Sequence, residues 1–593
     1  MSTIDTLLEP GARGSAVSIV NGRSLSDLQE TSDGQVWPLV EILRAALLDR
    51  GFLMVEFSRS GGLTHAPDAF KDKGDQTKAD TLVDALRVPS REQREPSGCE
   101  QFNALAQGLL ALGRRGPKER VVLRDGRPLH LAVFAHFAEH VVPTMEPAHR
   151  SEHQVRALES VLDLMRKPSF RKSGHLLFLV EGRPGTIDPL LQQELPIVRL
   201  AMPDVEAKQT FVSALARRYP NARPVEGYTY EEIARASANT PNSATEGLFV
   251  ASHREQKPIV ARDVWARKQE AVTAMSEGTL RSMDPNKSIA PVGKMTAKAL
   301  AALMHIAEGL RRGDPNASRN IAMVGPASSG KTMLAQYAAA MSRIVAYEIL
   351  SAKAAFVGES ERLSRLQQDL LRDHACFGFI DELDMVLPDR NKEGHDGGTS
   401  QHLAGQWQTF LADTSIGRAA IIGTTNSPGA LSPQMRSRFL MIPVLSASPA
   451  DLPLILGSLC AQLGMNTVGS HALSEAAATF YRNGAASPRE MRQALVATMS
   501  TLPEGVSPDI VVQKAAGEMI NGSDHYATEL GDLTALAYTR SRALLPWYDE
   551  QKGVYDRTFV LPAHIQAILD EKTWEIDQVR LRRRLNELSS ANS

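Results

Sequence analysis

The sequence predicts an α/β fold in which parallel sheets are flanked by helices, and three observations carry that expectation. A short apolar run, Ile321 to Val324, enters a glycine-rich turn and then a helix whose apolar residues recur at helical spacing. Further along, CFGFIDELDMVLP is an apolar run that ends in two carboxylates, the pattern of a buried parallel strand whose C-terminal edge faces a ligand. The N-terminal half carries fainter echoes of such runs in the same order.

Length and composition set the frame. At 593 residues the chain exceeds what one hydrophobic core organises, so roughly three or four domains or subdomains are expected. It is 43% hydrophobic and 23% charged with a formal net charge of -2, which gives no global electrostatic reason to expect nucleic-acid binding. Cys99, Cys376 and Cys460 are far apart and not grouped with histidines. Neither a disulfide framework nor a zinc site is expected from them, and a reducing, cytoplasmic setting fits. The N-terminus lacks the basic and apolar regions of a signal peptide. No apolar run reaches the roughly eighteen residues of a membrane span, so a membrane partner is not expected.

The glycine-rich turn reads Gly325, Pro326, Ala327, Ser328, Ser329, Gly330, Lys331, Thr332, with Met333 leading into the helix. This is the spacing GxxxxGK[ST], in which backbone N–H groups curl around phosphate oxygens and the helix N-terminus adds positive dipole. Lys331 is expected to reach the β- and γ-phosphates of ATP, and Thr332 a Mg²⁺ ion. In the later run, Asp381 would hold Mg²⁺ through its water shell and Glu382 would orient and polarise the attacking water. Catalysis of phosphoryl transfer is mostly such placement and charge neutralisation. A Ser/Gly-rich turn can match the octamer by chance, and a lone Asp-Glu pair is usually a solvated strand end. The two in this order and context favour the nucleotide reading.

With the segments that follow, these residues closely resemble the AAA+ ATPases, most strongly over about 300 to 500. AAIIGTTNSPGALSPQMRSRF looks like the sensor 1 strand and arginine-finger segment of that family. The resemblance implies that Asn426 hydrogen-bonds the water or the γ-phosphate, and that Arg436 or Arg438 projects into a neighbouring subunit's site. Hydrolysis would then depend on oligomerisation, as a homo-oligomeric and by resemblance hexameric ring. The spacing Arg436-Ser-Arg438 differs from the paired arginines of many remodelling members, so which of the two is the finger is left open. GAASPREMRQALVATM resembles the sensor 2 segment that opens a lid helix, with Arg489 matching the arginine that touches the γ-phosphate in cis. FVGESE resembles a pore loop of protein-threading members, which implies that Phe356, Val357 and Gly358 face the ring axis and grip extended polypeptide; core packing of Phe356 is the alternative. PDRNKEGHDGGTSQHL sits where the family has a second pore loop.

Against this frame the N-terminal half resembles a degenerate AAA-like module. LAVFAHFAEHVVP aligns with FGFIDELDMVLP and pairs His136 with Asp381 and Phe137 with Glu382. LFLVEGRPGTIDPLL aligns with AIIGTTNSPGALSPQM, placing Gly182 at Asn426 and Gln192 and Glu194 opposite the two arginines. Asn242 falls opposite Arg489. GFLMVEFSRSGGLTHA is expected to be the first strand, with Gly62 where Lys331 stands, and Leu63 to Cys99 an insertion loop. His136, Glu139 and His140 are read as solvated polar residues rather than metal ligands.

The expected organisation is a flexible arm over 1–35, the degenerate module over 36–270 with its α/β part to about 202 and a helical lid after it, the large α/β subdomain of an active AAA+ module over 271–445, its helical lid over 446–524, and a helical C-terminal extension over 525–593. The last helix sets Leu581, Leu585 and Leu588 on one side and a basic face elsewhere. The expected function is Mg·ATP-driven remodelling or threading of a protein substrate, with hydrolysis in the second module only and substrate or adaptor recruitment through the first. A nucleic-acid-acting motor or loader and a slow nucleotide-switched scaffold are the alternatives.

Overall fold

The computed structural model describes residues 3–87, 97–116, 119–145, 149–284, 289–314, 316–342, 344–350, 359–372, 376–386, 399–413, 419–465, 467–484, 487–503, 505–519 and 525–590. The chain divides into two compact units, Met1–Ala271 and Val272–Ser593.

The first unit contains strands β1 (Val17–Gly22), β2 (Leu28–Glu30), β3 (Val36–Pro38), β4 (Phe52–Ser58), β5 (Gly62–His65), β6 (His130–His136), β7 (Leu176–Val180) and β8 (Ile197–Leu200). Six of them form one sheet in the order β5-β4-β6-β7-β1-β8, while β2 and β3 make a separate hairpin. Every sheet pairing is parallel except β4 with β5. The inner strands are buried on both faces, Leu131 to Ala135 completely, which is why they read as continuous apolar runs rather than alternating ones. Helices Val205–Arg218, Tyr230–Ala236 and Asn242–Glu255 form a subdomain with its own core around Phe211, Leu215, Ile233 and Phe249.

The second unit repeats the plan. Strands β9 (Leu280–Ser282), β10 (Asn320–Val324), β11 (Val345–Ile349), β12 (Cys376–Ile380), β13 (Ala419–Thr425) and β14 (Leu440–Pro443) form a sheet ordered β14-β10-β13-β12-β11-β9, with only β9 antiparallel. Taken in chain order, the five parallel strands of each unit are arranged alike, β8-β1-β7-β6-β4 matching β14-β10-β13-β12-β11. The registers agree as well. Ala135 pairs with Leu179 and Ile380 with Gly423, which are the equivalences that align His136 with Asp381.

This topology changes the reading of the N-terminus. The expected flexible arm over 1–35 is overturned for residues 3–35: Thr3–Ala12 is a helix, and β1 lies inside the sheet between β7 and β8 with Val17, Ile19 and Val20 buried. The strand corresponding to β10 is therefore β1, not Phe52–Ser58, which corresponds to β11. Gly62 starts the edge strand β5 and stands nowhere near an equivalent of Lys331. The counterpart of Gly325 is Gly22. A Cβ at Gly22 would lie 2.5 Å from the carbonyl oxygen of Leu200, and one at Gly325 would lie 1.9 Å from that of Val444, so both positions need glycine for the same close approach to the edge strand. The expected insertion loop is partly ordered secondary structure, with β5 followed by helix Lys73–Asp84.

Beyond β14 come helices Leu452–Gln462, Ser470–Arg482, Pro488–Thr501 and Pro508–Gly517, packed on one another through Leu456, Phe480, Met491, Leu495 and Val512. The C-terminal segment is no mere appendage. Helices His525–Tyr538 and Gln578–Ser590 and the short hairpin β15 (Tyr548–Asp549) and β16 (Val554–Tyr555) deliver Leu533, Trp547, Leu581 and Leu588 into the core that contains Ile380 and Leu431. Its basic face is partly engaged at home, since Arg584 pairs with Glu529 at 2.6 and 3.0 Å and Arg580 donates to the Leu569 carbonyl. Among the described residues no helix is long and apolar enough to cross a membrane.

Candidate active site

The site is built at the C-terminal ends of β10, β12 and β13. After Val324 the chain turns through Gly325 to Gly330, with Ser328 at φ 62 and Gly330 at φ 90, and enters helix Lys331–Ser342. A glycine-rich turn that leads from a strand into a helix N-terminus is the kind of concavity that binds phosphate. Within it the Ser329 hydroxyl is buried and has no hydrogen-bond partner among the described residues, so the cradle holds polar capacity that a phosphate oxygen would satisfy. Lys331 is buried; its Nζ donates to the carbonyls of Gly325 (3.0 Å) and Pro326 (2.6 Å) and to Asn426 Oδ1 (2.8 Å). Burial pushes its ammonium down to about 8, opposed by the charges of Asp381 and Asp532. Thr332, one residue on, is exposed, and Met333 abuts the position a Cβ at Gly330 would take. A nucleotide triphosphate fits this donor set, and the exposed Thr332 hydroxyl and Asp381 carboxylate are the oxygen donors a Mg²⁺ ion would use.

Asp381 and Glu382 follow β12, both exposed. Two consecutive threonines of β13 fix their turn. Thr424 Oγ1 donates to Asp381 Oδ1 and accepts from the Glu382 N–H at 3.1 Å, while Thr425 Oγ1 donates to Asp384 Oδ1 at 2.7 Å and accepts from Ser427 N–H at 3.0 Å. Glu382 is held at φ 56, a left-handed conformation that costs a non-glycine residue about 1 kcal/mol or more. The turn closes because β13 has Gly423 beside it: a Cβ there would sit 2.1 Å from the Leu383 side chain. Lys331 and Asn426 thereby lie beside the turn that carries Asp381 and Glu382.

The two arginines part company. Both stand in helix Pro433–Arg438, but Arg438 donates to the carbonyl of Gln408 within its own chain. The Arg436 guanidinium rests over the Tyr538 ring at 5.6 Å, with long 3.4 Å bonds to the Tyr538 hydroxyl and the Gly429 carbonyl. Arg489 is exposed in the first turn of Pro488–Thr501, one residue past Pro488, which lines a pocket with Ser328, Ser329, Tyr481, His525 and Thr528. Phe356, Val357 and Gly358, and most of the glycine-rich segment after Asp384, lie outside the described residues.

Sequence reasoning missed three contributors. Thr424 and Thr425 were visible as the pair preceding Asn426, but only the β12–β13 register shows that they hold the carboxylate turn. The helix His525–Tyr538 carried no signal: its Gly531 presses on Pro326, where a Cβ would come within 2.6 Å, and its fully buried Asp532 accepts from Ser446 N–H (2.8 Å) and pairs with His564 (2.7 Å). That helix touches the phosphate-binding turn at Gly531 and Arg436 at Tyr538.

In the first unit the equivalent turn carries His136, which pairs with Glu56 at 3.0 Å, and Phe137. Glu139 accepts the Gly182 N–H through both oxygens at 3.1 Å. Among the described residues no group of three or more His, Cys, Asp or Glu is placed to hold a metal ion.

A five-stranded parallel core with a GxxxxGKT turn after one central strand and an acidic pair after another defines a P-loop nucleotide-binding module. Comparison with known families makes it specific. Residues 321–445 match the ATPase family associated with various cellular activities (AAA), and residues 17–203 match the N-terminal Rossmann-like domain of AAA+ chaperones. The chain thus carries two modules in tandem that match AAA+ ATPase families. Curated relatives include an uncharacterized AAA domain-containing protein of Schizosaccharomyces pombe, 30% identical over 21% of this chain and 18% of that protein. The peroxisomal ATPase PEX6 of Colletotrichum orbiculare is 32% identical over 19% of this chain and 9% of its own length. Spastin of Xenopus laevis is 32% identical over 21% of each. The matches thus span about a fifth of these relatives or less.

Proposed function

We propose that this chain is a Mg²⁺-dependent, cytoplasmic, homo-oligomeric ring ATPase, hexameric by resemblance, that remodels or threads a protein substrate and hydrolyses ATP in its second module only. The observation that carries the reading is the convergence of Lys331 on Asn426 at 2.8 Å beside the acidic turn of Asp381 and Glu382. Bound ATP supplies the phosphoryl group and its Mg²⁺ the charge neutralisation. Lys331 would exchange the carbonyls and Asn426 for phosphate oxygens, Thr332 and Asp381 would hold the ion, and Glu382 would orient the attacking water. Asn426 would hydrogen-bond the water or the γ-phosphate, and Arg489 of the lid (446–524) would touch the γ-phosphate in cis. An arginine from a neighbour completes the charge, and Arg436, which has only weak ties at home, suits that role better than Arg438. Phe356, Val357 and Gly358 would contact the polypeptide. The first module has His136 and Phe137 where the second has its carboxylates, which supports a role in assembly or in recruiting substrate or adaptor.

The test is Glu382→Gln. Its ATP turnover should fall at least a hundredfold while ATP still binds; unchanged hydrolysis would remove the site assignment. Stimulation of the wild-type ATPase by an unfolded protein supports the remodelling reading, whereas stimulation by single-stranded nucleic acid alone would replace it.

A further inference from the structure

The loop after β1 occupies the place that the phosphate-binding turn takes after β10, because Gly22 and Gly325 are in the same register against their edge strands. What fills that place in the first module is its own chain. The helix Leu39–Asp49, which follows β1 as Lys331–Ser342 follows β10, has its first N–H groups already bonded: Leu39 N–H donates to the Asp27 carbonyl (2.7 Å) and Val40 N–H to the Leu25 carbonyl (2.8 Å). Donors that face phosphate in a working P-loop are taken here.

The Asp27 side chain completes the substitution. It is 1% exposed and accepts Arg23 Nε at 2.6 Å. Its two oxygens also accept the N–H groups of Asn242 (3.0 Å) and Ser243 (2.8 Å), the first turn of helix Asn242–Glu255. That is the turn aligned with Arg489, from which the second module's lid is expected to touch the γ-phosphate. Asn242 Nδ2 adds a bond to the Leu28 carbonyl at 2.8 Å, and Leu28 and Val36 pack on the core of the helical subdomain. The buried Lys208 ammonium, facing the charge of Asp27, holds the same helix start through the Pro241 carbonyl (3.1 Å) and Thr245 Oγ1 (2.7 Å). A cation, a helix N-terminus and a buried carboxylate therefore meet where a nucleotide would join the α/β part to its lid.

We propose that Asp27 is a built-in ligand of the first module, an anion carried in the chain that fastens the lid to the α/β core in place of a nucleotide phosphate. The module then binds no nucleotide and keeps one lid position throughout the ATP cycle. This rests on hydrolysis being confined to the second module.

Hydrogen exchange and calorimetry on the full chain test it. In the wild type, the amides of Asn242 and Ser243 should exchange slowly and equally with and without Mg·ATP. In Asp27→Ala they should exchange on the order of tenfold faster or more. Asp27→Asn, which keeps an acceptor without the charge, should fall between and serves if the alanine variant does not fold. Unchanged exchange in both variants, or wild-type protection that appears only with Mg·ATP, would overturn the proposal. Separately, Lys331→Ala should lose ATP hydrolysis, which tests the one-site reading. The same variant titrated with Mg·ATP should release no binding heat, and binding of one equivalent would overturn the built-in ligand even if hydrolysis is lost.

Discussion

Phe137 and Glu382 share a left-handed φ at the same point of two modules with the same strand order. Each follows the strand that precedes its turn, β6 or β12, and each is left-handed, at φ 53 and φ 56. A bulky non-glycine residue in that region is uncommon and carries strain. In the second module this position carries a carboxylate; in the first the same turn exposes an aromatic ring, Phe137 being 55% exposed. The fold kept the turn while the chemistry at its tip changed. Phe137→Ala should therefore leave ATP turnover and ATP affinity within a factor of two of wild type. A loss of turnover comparable to that of Glu382→Gln would mean that the first module takes part in hydrolysis.

Thr424 is predicted to be a positioning residue. Its hydroxyl bridges the Asp381 carboxylate and the Glu382 N–H, so Thr424→Val removes both contacts with little change in volume. Turnover should fall about tenfold to a hundredfold, and ATP affinity much less, because Lys331 and the phosphate-binding turn are untouched. Loss of the two bonds should also cost on the order of 1–3 kcal/mol of stability. Thr424→Ser, which restores the hydroxyl, should recover turnover; failure to do so would point to packing instead.

Arg436 and Arg438 should separate by readout. Arg438→Ala removes a buried-side bond to Gln408 and is expected to lower thermal stability. Among the described residues Arg436→Ala loses only the Tyr538 contact and 3.4 Å bonds, so stability and ATP binding should hold. Its turnover should fall a hundredfold or more if this guanidinium is lent to a neighbour. Mixing Arg436→Ala with Lys331→Ala protein should restore part of the activity, since one supplies the loop and the other the arginine. No recovery in mixed oligomers would assign the finger elsewhere.

What the sequence made legible follows from the range of the interactions. Gly325 to Thr332 and the pair Asp381-Glu382 are local patterns, each set by a strand and its own turn, and they could be read directly. The echo between modules was readable where strands are long and apolar, as at Leu131 to Ala135. It failed at β1, a short run between glycine- and serine-rich flanks, because the signal that Val17 to Val20 is central lies in pairing with β7 and β8 far along the chain. For the same reason nothing in HYATELGDLTALAY disclosed that Gly531 packs on Pro326. Asp27 sits in a polar stretch that composition assigns to a loop, and only the tertiary structure reveals that three donors converge on it.

The stability of the first module should depend on acid through His175. Its ring is buried and Nδ1 accepts the Leu131 N–H at 3.0 Å, so the neutral form is required. Burial, with the nearby His130, Arg120 and Arg115, pushes its pKa down to about 4. The unfolded chain takes up this proton near 6.5, so between about pH 6.5 and 4 the unfolded state binds more protons than the folded one, and stability falls as pH falls through that window. The shift corresponds to about 3 kcal/mol. His130, also lowered by burial, acts in the same direction, whereas Glu181, raised by burial above the usual carboxylate range, acts in the opposite one in the acid part of the same window. A comparison with His175→Gln, which can keep an acceptor but does not titrate, isolates the contribution. Calorimetry of the two proteins from pH 7.5 to 4.5 should show the first module's transition dropping more steeply in the wild type, and parallel slopes would mean that His175 is already charged in the folded state.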